Sequence, residues 1–344
     1  MSDFRAILRY LVEEKGSLSV EQAQSVVSEM LEGGVCDAEI ASLLTVISAR
    51  GATAQEITGF VLTMRALCRP LPLSDEEREA LVDTCGTGGD NRGTFNISTG
   101  AALVAAAAGA RVAKHGNRGI TSKCGSADVL EALGIPAELE PEAAVECLRA
   151  TGFVFLSAPR MHPALKRVQP VRKALSFRTI FNLAGPLTNP AGARAQVMGV
   201  YAADRVGVVS EAMARLGIRH AFVVHGADGL DELTLQGESH VAEVRGHTVR
   251  LFSMDAASAG LKPAPLSAMS GGDARENAEI LERILRGEAG PRRDVVLLNA
   301  AAALIVAGLA EDFLSGVPLA AAAVDSGAAL RLVRQLREFR DRQS

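Results

Sequence analysis

The stretch Asp83-Thr84-Cys85-Gly86-Thr87-Gly88-Gly89-Asp90-Asn91-Arg92-Gly93-Thr94-Phe95-Asn96-Ile97-Ser98-Thr99 joins a short apolar run to an alanine-rich one. Gly86, Gly88 and Gly89 lack Cβ atoms, so backbone N–H groups here can turn toward a ligand and approach it closely. Asn96, Ile97, Ser98 and Thr99 stand where a helix over 98–109 is predicted to begin. A helix N-terminus presents unpaired amides and partial positive charge, which suits a phosphate. A phosphate at each end of the loop would fit a ligand with two separated phosphate groups. The segment lacks the last glycine of G-x-G-x-x-G, and no G-K-[ST] follows. Taken alone, it reads first as a tight strand-to-helix turn with an ordinary N-cap.

A second polar stretch follows a predicted strand over 111–113: Lys114-His115-Gly116-Asn117-Arg118-Gly119-Ile120-Thr121-Ser122-Lys123. Gly125-Ser126-Ala127-Asp128 then opens another helix, predicted over 128–133. Clustered donors at a strand's C-terminal end are what an α/β crevice uses to bind a polyanion.

Outward from these loops the chain divides in two. Residues 4 to about 69 show helical periodicity, with Phe4, Ile7, Leu8 and Leu11 on one apolar face and Ala23, Val26, Val27, Met30 and Leu31 on the next. Ser19 and Gln22 form a capping-box pattern, and Gly33-Gly34 stops that helix. Helices over 37–50 and 53–68 follow, and Arg69-Pro70-Leu71-Pro72 marks a boundary. Beyond it, short β-rich runs alternate with alanine-rich helices, the signature of an α/β domain. Strands are expected over 81–83, 153–156, 196–201, 221–224, 240–244 and 248–252, the last two as an antiparallel hairpin through Arg245-Gly246-His247. Long helices over 294–310 and 318–339 close the chain.

Composition narrows the function. A formal charge of −4 gives no general drive toward nucleic acid or an acidic membrane, so an anion must be held by local geometry. The longest apolar runs, 101–108 and 300–310, are too short to cross a bilayer and are expected to be buried helices. Cys36, Cys68, Cys85, Cys124 and Cys147 show no C-x-x-C spacing, and the N-terminus lacks the apolar core of a signal peptide. Reduced thiols and a cytoplasmic location are expected.

Four ordered strings carry a resemblance. They are the glycine stretch from Asp83 to Thr99; Lys114–Gly134; His162 through Arg172-Lys173 and Arg178 to Asn189-Pro190; and His225-Gly226-Ala227-Asp228-Gly229-Leu230-Asp231-Glu232. Together they resemble the anthranilate phosphoribosyltransferase family over nearly the whole chain. The resemblance implies an α/β fold: a helical domain at residues 1–69, with a returning segment near 162–181, beside a larger domain at 73–161 and 182–344. The larger domain would hold a central, mostly parallel sheet surrounded by helices. It also implies transfer of the phosphoribosyl group of phosphoribosyl pyrophosphate (PRPP) to the amine of anthranilate, a step of tryptophan biosynthesis. Mg2+ is the implied cofactor, and the implied assembly is a homodimer through the helical domain.

By the same resemblance, Gly86, Gly89, Asp90, Thr94, Asn96, Ile97, Ser98 and Thr99 hold PRPP together with Lys114, His115, Gly116, Asn117, Arg118, Gly119, Ile120, Thr121, Ser122 and Ser126. Ser98, Asp231 and Glu232 would bind the metal. Arg172, with Asn117 and Gly86, would hold anthranilate, since a guanidinium can grip a carboxylate through two hydrogen bonds. His115 and His162 would line the anthranilate path. No protein nucleophile is implied, and Cys85 is expected to be a small filler. Gly119 and Thr121 stand where serine is commoner in the family, which puts one hydroxyl contact in doubt. The alternatives are a pyrimidine nucleoside phosphorylase and a non-enzymatic nucleic-acid-binding relative. The first is disfavoured by the complete glycine strings and Arg172, the second by the negative charge. A type I phosphoribosyltransferase would need an acidic strand-end string that is missing.

Overall fold

The computed structural model describes residues 4–90, 92–119 and 123–343. Four helices come first: α1 (Phe4–Glu13), α2 (Val20–Glu32), α3 (Asp37–Arg50) and α4 (Ala54–Ala66). The Ser19–Gln22 capping box forms at the start of α2, and Gly33 closes that helix at φ 86°, a left-handed conformation glycine adopts without strain. Glu56 is fully buried and fully partnered: it accepts Arg50 Nη2 at 2.5 and 2.7 Å and the Leu18 amide at 3.0 Å. A buried charge is tolerable only when paired in this way, and this one ties α3, α4 and the turn before α2 together.

The α/β portion contributes α5 (Asp75–Glu79), β1 (Leu81–Gly86), α6 (Ile97–Ala107), β2 (Arg111–Gly116), α7 (Ser126–Ala132), α8 (Pro141–Thr151) and β3 (Phe153–Ser157). The chain then returns toward the helical bundle through α9 (Ala158–Met161), α10 (Gln169–Leu175) and α11 (Ile180–Ala184). It re-enters the sheet as β4 (Ala195–Gly199), followed by α12 (Asp204–Arg215), β5 (His220–Gly226), β6 (Ser239–Arg245) and β7 (Thr248–Met254). Last come α13 (Ala274–Leu285), α14 (Pro291–Ala307), α15 (Phe313–Asp325) and α16 (Ala328–Gln343). The seven strands form one sheet in the order β3-β2-β1-β4-β5-β6-β7. The first five are parallel, while β6 and β7 are antiparallel additions joined by the expected hairpin.

Each sheet face has its own core. On one, Leu103, Val296 and Leu304 cluster with Val82, Val112 and Val197. On the other, Val27, Leu44 and Phe60 of the bundle cluster with Val171, Phe181, Met198, Val209 and Val223. The returning segment is bound to the bundle by this core, with the Phe60 and Phe181 rings edge-on at 5.4 Å.

Two expectations need correction. The helix expected over 318–339 is two helices: Asp312 caps α15 before Pro318, and the chain bends by 60° at Ser326-Gly327, where Gly327 has φ 72°. The strand expected over 111–113 runs on to Gly116, so Lys114, His115 and Gly116 belong to β2 rather than to a polar loop. Pairing with β3 through Gly116 keeps these residues in the sheet. Among the described residues no single helix is long and apolar enough to cross a membrane, although the bent pair α15 and α16 passes that test jointly.

Candidate functional site

Strand order reverses between β1 and β4, and in an open α/β sheet the crevice beyond the strand C-termini at such a point is where ligands bind. Gly86 ends β1 and Gly199 ends β4, paired in register. The Asp231-Glu232 segment crosses directly over both. A Cβ on Gly199 would stand 1.5 Å from the Asp231 carbonyl oxygen, and one on Gly86 would stand 2.5 Å from Asp231 Oδ2. Only glycine admits so close an approach. Gly86 was expected at the site; Gly199 was not, and its one signal in the sequence is a glycine closing a strand.

From this crossing the two acids reach opposite ends of the glycine loop. Asp231 Oδ2 accepts the Gly88 amide at 2.8 Å, and Glu232 Oε1 accepts the Ser98 amide at 3.1 Å. Burial pushes both carboxyls well above the ordinary carboxylate range, with the neighbouring Asp90 raising Asp231 further and Asp231 raising Glu232. Lys114 lies beneath them, 1% exposed, its Nζ donating to the Thr84 carbonyl at 2.5 Å and to Ser98 Oγ at 3.4 Å. One ammonium faces several buried carboxyls, so their full ionisation calls for further positive charge in the site. Hard oxygen donors with uncompensated charge fit a divalent cation such as Mg2+. No group of three or more His, Cys, Asp or Glu side chains suited to a metal occurs among the described residues. A cation here would therefore take the rest of its shell from substrate phosphates and water, the usual habit of Mg2+.

The remaining loop residues divide by what they can offer. Thr94 bridges to Ser270, and Ile97 is 2% exposed, so Ile97 offers its backbone. Asn96 holds the two loops together: its Nδ2 donates to the Cys124 carbonyl at 3.4 Å, and its Oδ1 accepts Asn277 Nδ2 at 3.0 Å. Thr99 is fully buried, with a hydroxyl that has no partner among the described residues. Gly89 accepts a hydrogen bond from Arg178, whose guanidinium lies 4.3 Å over the Tyr201 ring. Arg178 thus fastens the glycine loop. Asp90 accepts the Arg92 amide at 3.2 Å. Gly116 is packed against Phe155 and Ser126, the first residue of α7. The Asn117 side chain accepts the Arg118 amide at 2.8 Å. The Arg118 guanidinium pairs with Asp128, Glu131 and Glu138 at 3.2, 2.5 and 3.5 Å, so both its side chain and its amide are engaged within the protein. Gly119 donates to Asp128 at 2.8 Å. Ile120, Thr121 and Ser122, like Asn91, lie outside the described residues.

On the opposite sheet face, the His115 and His162 rings pack with centroids 5.1 Å apart, tilted by 55° to one another. Burial drives His115 well below the ordinary histidine range and His162 down to about 4, so both rings are neutral at pH 7. The buried Asp83 accepts the His115 amide at 3.0 Å and is pushed up to about 6, burial outweighing its hydrogen bonds. Cys85 donates to the Pro186 carbonyl at 3.7 Å, and burial holds its thiol well above the ordinary range. A thiol so disposed packs and does not attack.

Arg172 projects from α10, which packs against α3 of the helical bundle. It is half-buried, its guanidinium 5.1 Å over the Phe181 ring, and among the described residues no carboxylate pairs with it. Burial lowers its pKa, the signature of a cation short of a counter-charge.

Known proteins match this arrangement from end to end. Residues 78–330 match the glycosyl transferase family, a/b domain, and residues 5–68 match the glycosyl transferase family, helical bundle domain. The anthranilate phosphoribosyltransferase of Pelotomaculum thermopropionicum is 50% identical over 322 residues, 94% of this chain and 92% of that one. The crystal structure of anthranilate phosphoribosyltransferase (TrpD) from Thermus thermophilus superposes with a TM-score of 0.91 at 43% identity, covering 99% of this chain and 100% of that one. The Saccharomyces cerevisiae enzyme in complex with PRPP and Mg gives a TM-score of 0.88 at 25% identity, with 98% of each chain covered. With both portions of the chain matched and half of its residues shared with a relative of nearly equal length, the protein belongs to the anthranilate phosphoribosyltransferase family.

Proposed function

We propose that the protein transfers the phosphoribosyl group of PRPP to the amine of anthranilate, giving N-(5-phosphoribosyl)anthranilate and pyrophosphate in tryptophan biosynthesis. The observation that carries the reading is the acid pair at the β1/β4 switch point, one carboxylate on each end of the glycine loop. Ser98, Asp231 and Glu232 would hold Mg2+, which when bound supplies positive charge to the departing pyrophosphate. The amine forms its bond to the ribose C1′ as the bond from C1′ to the pyrophosphate oxygen breaks. The bonding pair leaves with pyrophosphate, and the amine proton passes to the leaving group or to water. Gly86, Gly89, Asp90, Thr94, Asn96, Ile97, Ser98 and Thr99 would receive the phosphates together with the Lys114–Ser122 stretch and Ser126; Lys114 adds its charge from below. Arg172 grips the anthranilate carboxylate beside Asn117 and so aims the amine, converting an encounter into an oriented approach. An arylamine is a neutral nucleophile, so no strong base is needed.

The site lies where the α/β domain faces the returning segment, and closure of the helical portion, residues 1–69, would bring Arg172 over the loops. Tyr10 and Val12 on α1, with Leu62 and Leu67 at the end of α4, stand exposed on the helical bundle, which suits a two-fold dimer in the cytoplasm. Loss of anthranilate fluorescence on mixing protein, PRPP and Mg2+ tests the reaction directly. Consumption that requires all three is expected; phosphorolysis of a pyrimidine nucleoside without anthranilate consumption would replace this function with another.

A further inference from the structure

The chain leaves and re-enters the second loop through a narrow neck, and one side chain closes it. Asp128 Oδ2 accepts the Gly119 amide at 2.8 Å and the Gly125 amide at 2.8 Å, so a single oxygen ties the two ends of the segment. Its Oδ1 accepts Arg118 Nη1 at 3.2 Å. One residue further in, the Ala127 amide donates to the Asn117 carbonyl at 3.2 Å. Gly125 provides the room: a Cβ there would stand 2.2 Å from the Gly119 nitrogen, 2.4 Å from the Arg118 carbonyl carbon and 2.7 Å from the Asn117 oxygen. Its backbone, at φ −93° and ψ 177°, is one any residue adopts. Glycine is needed at this position for the contact and not for the conformation.

We infer that Asp128 and Gly125 are positioning residues for the phosphate end of the PRPP site: they draw Asn117–Gly119 onto Gly125-Ser126, so Asn117 and Ser126 are set beside one another before the ligand arrives. The inference rests on the function proposed above. Donors that are not held must be ordered at binding, whereas clasped ones are already placed, so the clasp acts on affinity for PRPP. The carboxylate does not touch the substrate. Losing it frees two amides and unties the two ends of the loop without opening a core, because Asp128 is only half-buried and α7 keeps its buried Ala127, Val129 and Leu130.

Steady-state kinetics, with each substrate varied in turn, test the clasp in three variants. Asp128→Ala is expected to raise KM for PRPP about 10-fold, the worth of one to two charge-assisted hydrogen bonds, with a smaller rise in KM for anthranilate, whose main grip, Arg172, lies on another element. Asp128→Asn keeps one oxygen that can accept both amides and should recover most of the loss. Gly125→Ala, which opens the neck without touching the carboxylate, should reproduce the PRPP effect. A readout independent of turnover accompanies these: tryptic cleavage after the exposed Lys123 should quicken in Asp128→Ala and Gly125→Ala at unchanged melting temperature. Glu131→Gln, which alters only an Arg118 partner, should match the wild type in both assays. An unchanged PRPP KM in Asp128→Ala and Gly125→Ala overturns the clasp, as does a loss spread equally over both substrates with a matching fall in melting temperature. Failure of the underlying reading is distinct, since the wild type itself would then not consume anthranilate and PRPP.

Discussion

Replacing Gly199 by alanine adds one methyl group where the structure leaves no room for it. The new Cβ would lie 1.5 Å from the Asp231 carbonyl oxygen and 2.4 Å from its carbonyl carbon. Carbon and oxygen in close contact sit about 3.3 Å apart, so the Asp231-Glu232 segment has to rise by about 2 Å. Moving it carries both carboxylates off the Gly88 and Ser98 amides. A misplacement of this order in a catalytic constellation costs on the order of 100-fold in rate, whereas overpacking costs only about 1–3 kcal/mol of stability. The expected variant is folded, with kcat/KM for PRPP reduced roughly 100-fold and a weakened response to Mg2+. Gly207→Ala is the matched control, because the same methyl group meets nothing within 4 Å on α12. It should leave activity intact and gain a few tenths of a kcal/mol, up to about 1, from helix propensity. Initial rates across a Mg2+ titration, with thermal melts on the same samples, decide the matter. A Gly199→Ala enzyme with wild-type rates and wild-type metal response would refute the reasoning.

Arg172→Ala should raise KM for anthranilate by about 10- to 100-fold, the worth of a bidentate carboxylate contact, and leave KM for PRPP nearly unchanged; equal effects on both substrates would remove Arg172 from the anthranilate site. Cys85→Ala should keep near-wild-type turnover, since Gln196 retains its 2.7 Å bond to the Pro186 carbonyl, and a dead but folded variant would contradict the packing role. Asp231 and Glu232 hold protons more tightly folded than unfolded, so the stability they contribute is full below the ordinary carboxylate range and is lost as pH rises through neutrality. Melting curves in the presence of Mg2+ should therefore show a metal increment that grows with pH over that range, and that is absent in Asp231→Asn/Glu232→Gln; a flat increment in the wild type would argue against direct binding by the pair.

Local signals carried far in this chain. The Ser19–Gln22 capping box, the glycine stop at Gly33 and the turn at Gly246-His247 all formed where short-range chemistry placed them. The glycine loop stood out because its composition is unusual within a few residues. Lys114 did not yield to the same reasoning. A lysine followed by histidine and glycine resembles solvated loop, yet it is buried in β2 because carboxylates distant in sequence supply its counter-charge. Gly199 was invisible for the same reason: its crowding comes from Asp231, a contact made only by the folded sheet. The engagement of Arg118 by three carboxylates, and of Arg178 by Gly89 and Tyr201, likewise depends on how elements dock. The helix break at Ser326-Gly327 was written in the residues themselves and was outweighed by the long alanine-rich periodicity around it.

If the enzyme works as proposed, the glycine loop and the acid pair grip the same diphosphate. A crystal of the protein soaked with PRPP and Mg2+ tests it most directly. The pyrophosphate is expected between the Gly86–Thr99 loop and Asp231-Glu232, with metal density in contact with Ser98 or the acid pair. Ordered PRPP elsewhere on the protein, with that cleft holding only water, would contradict it.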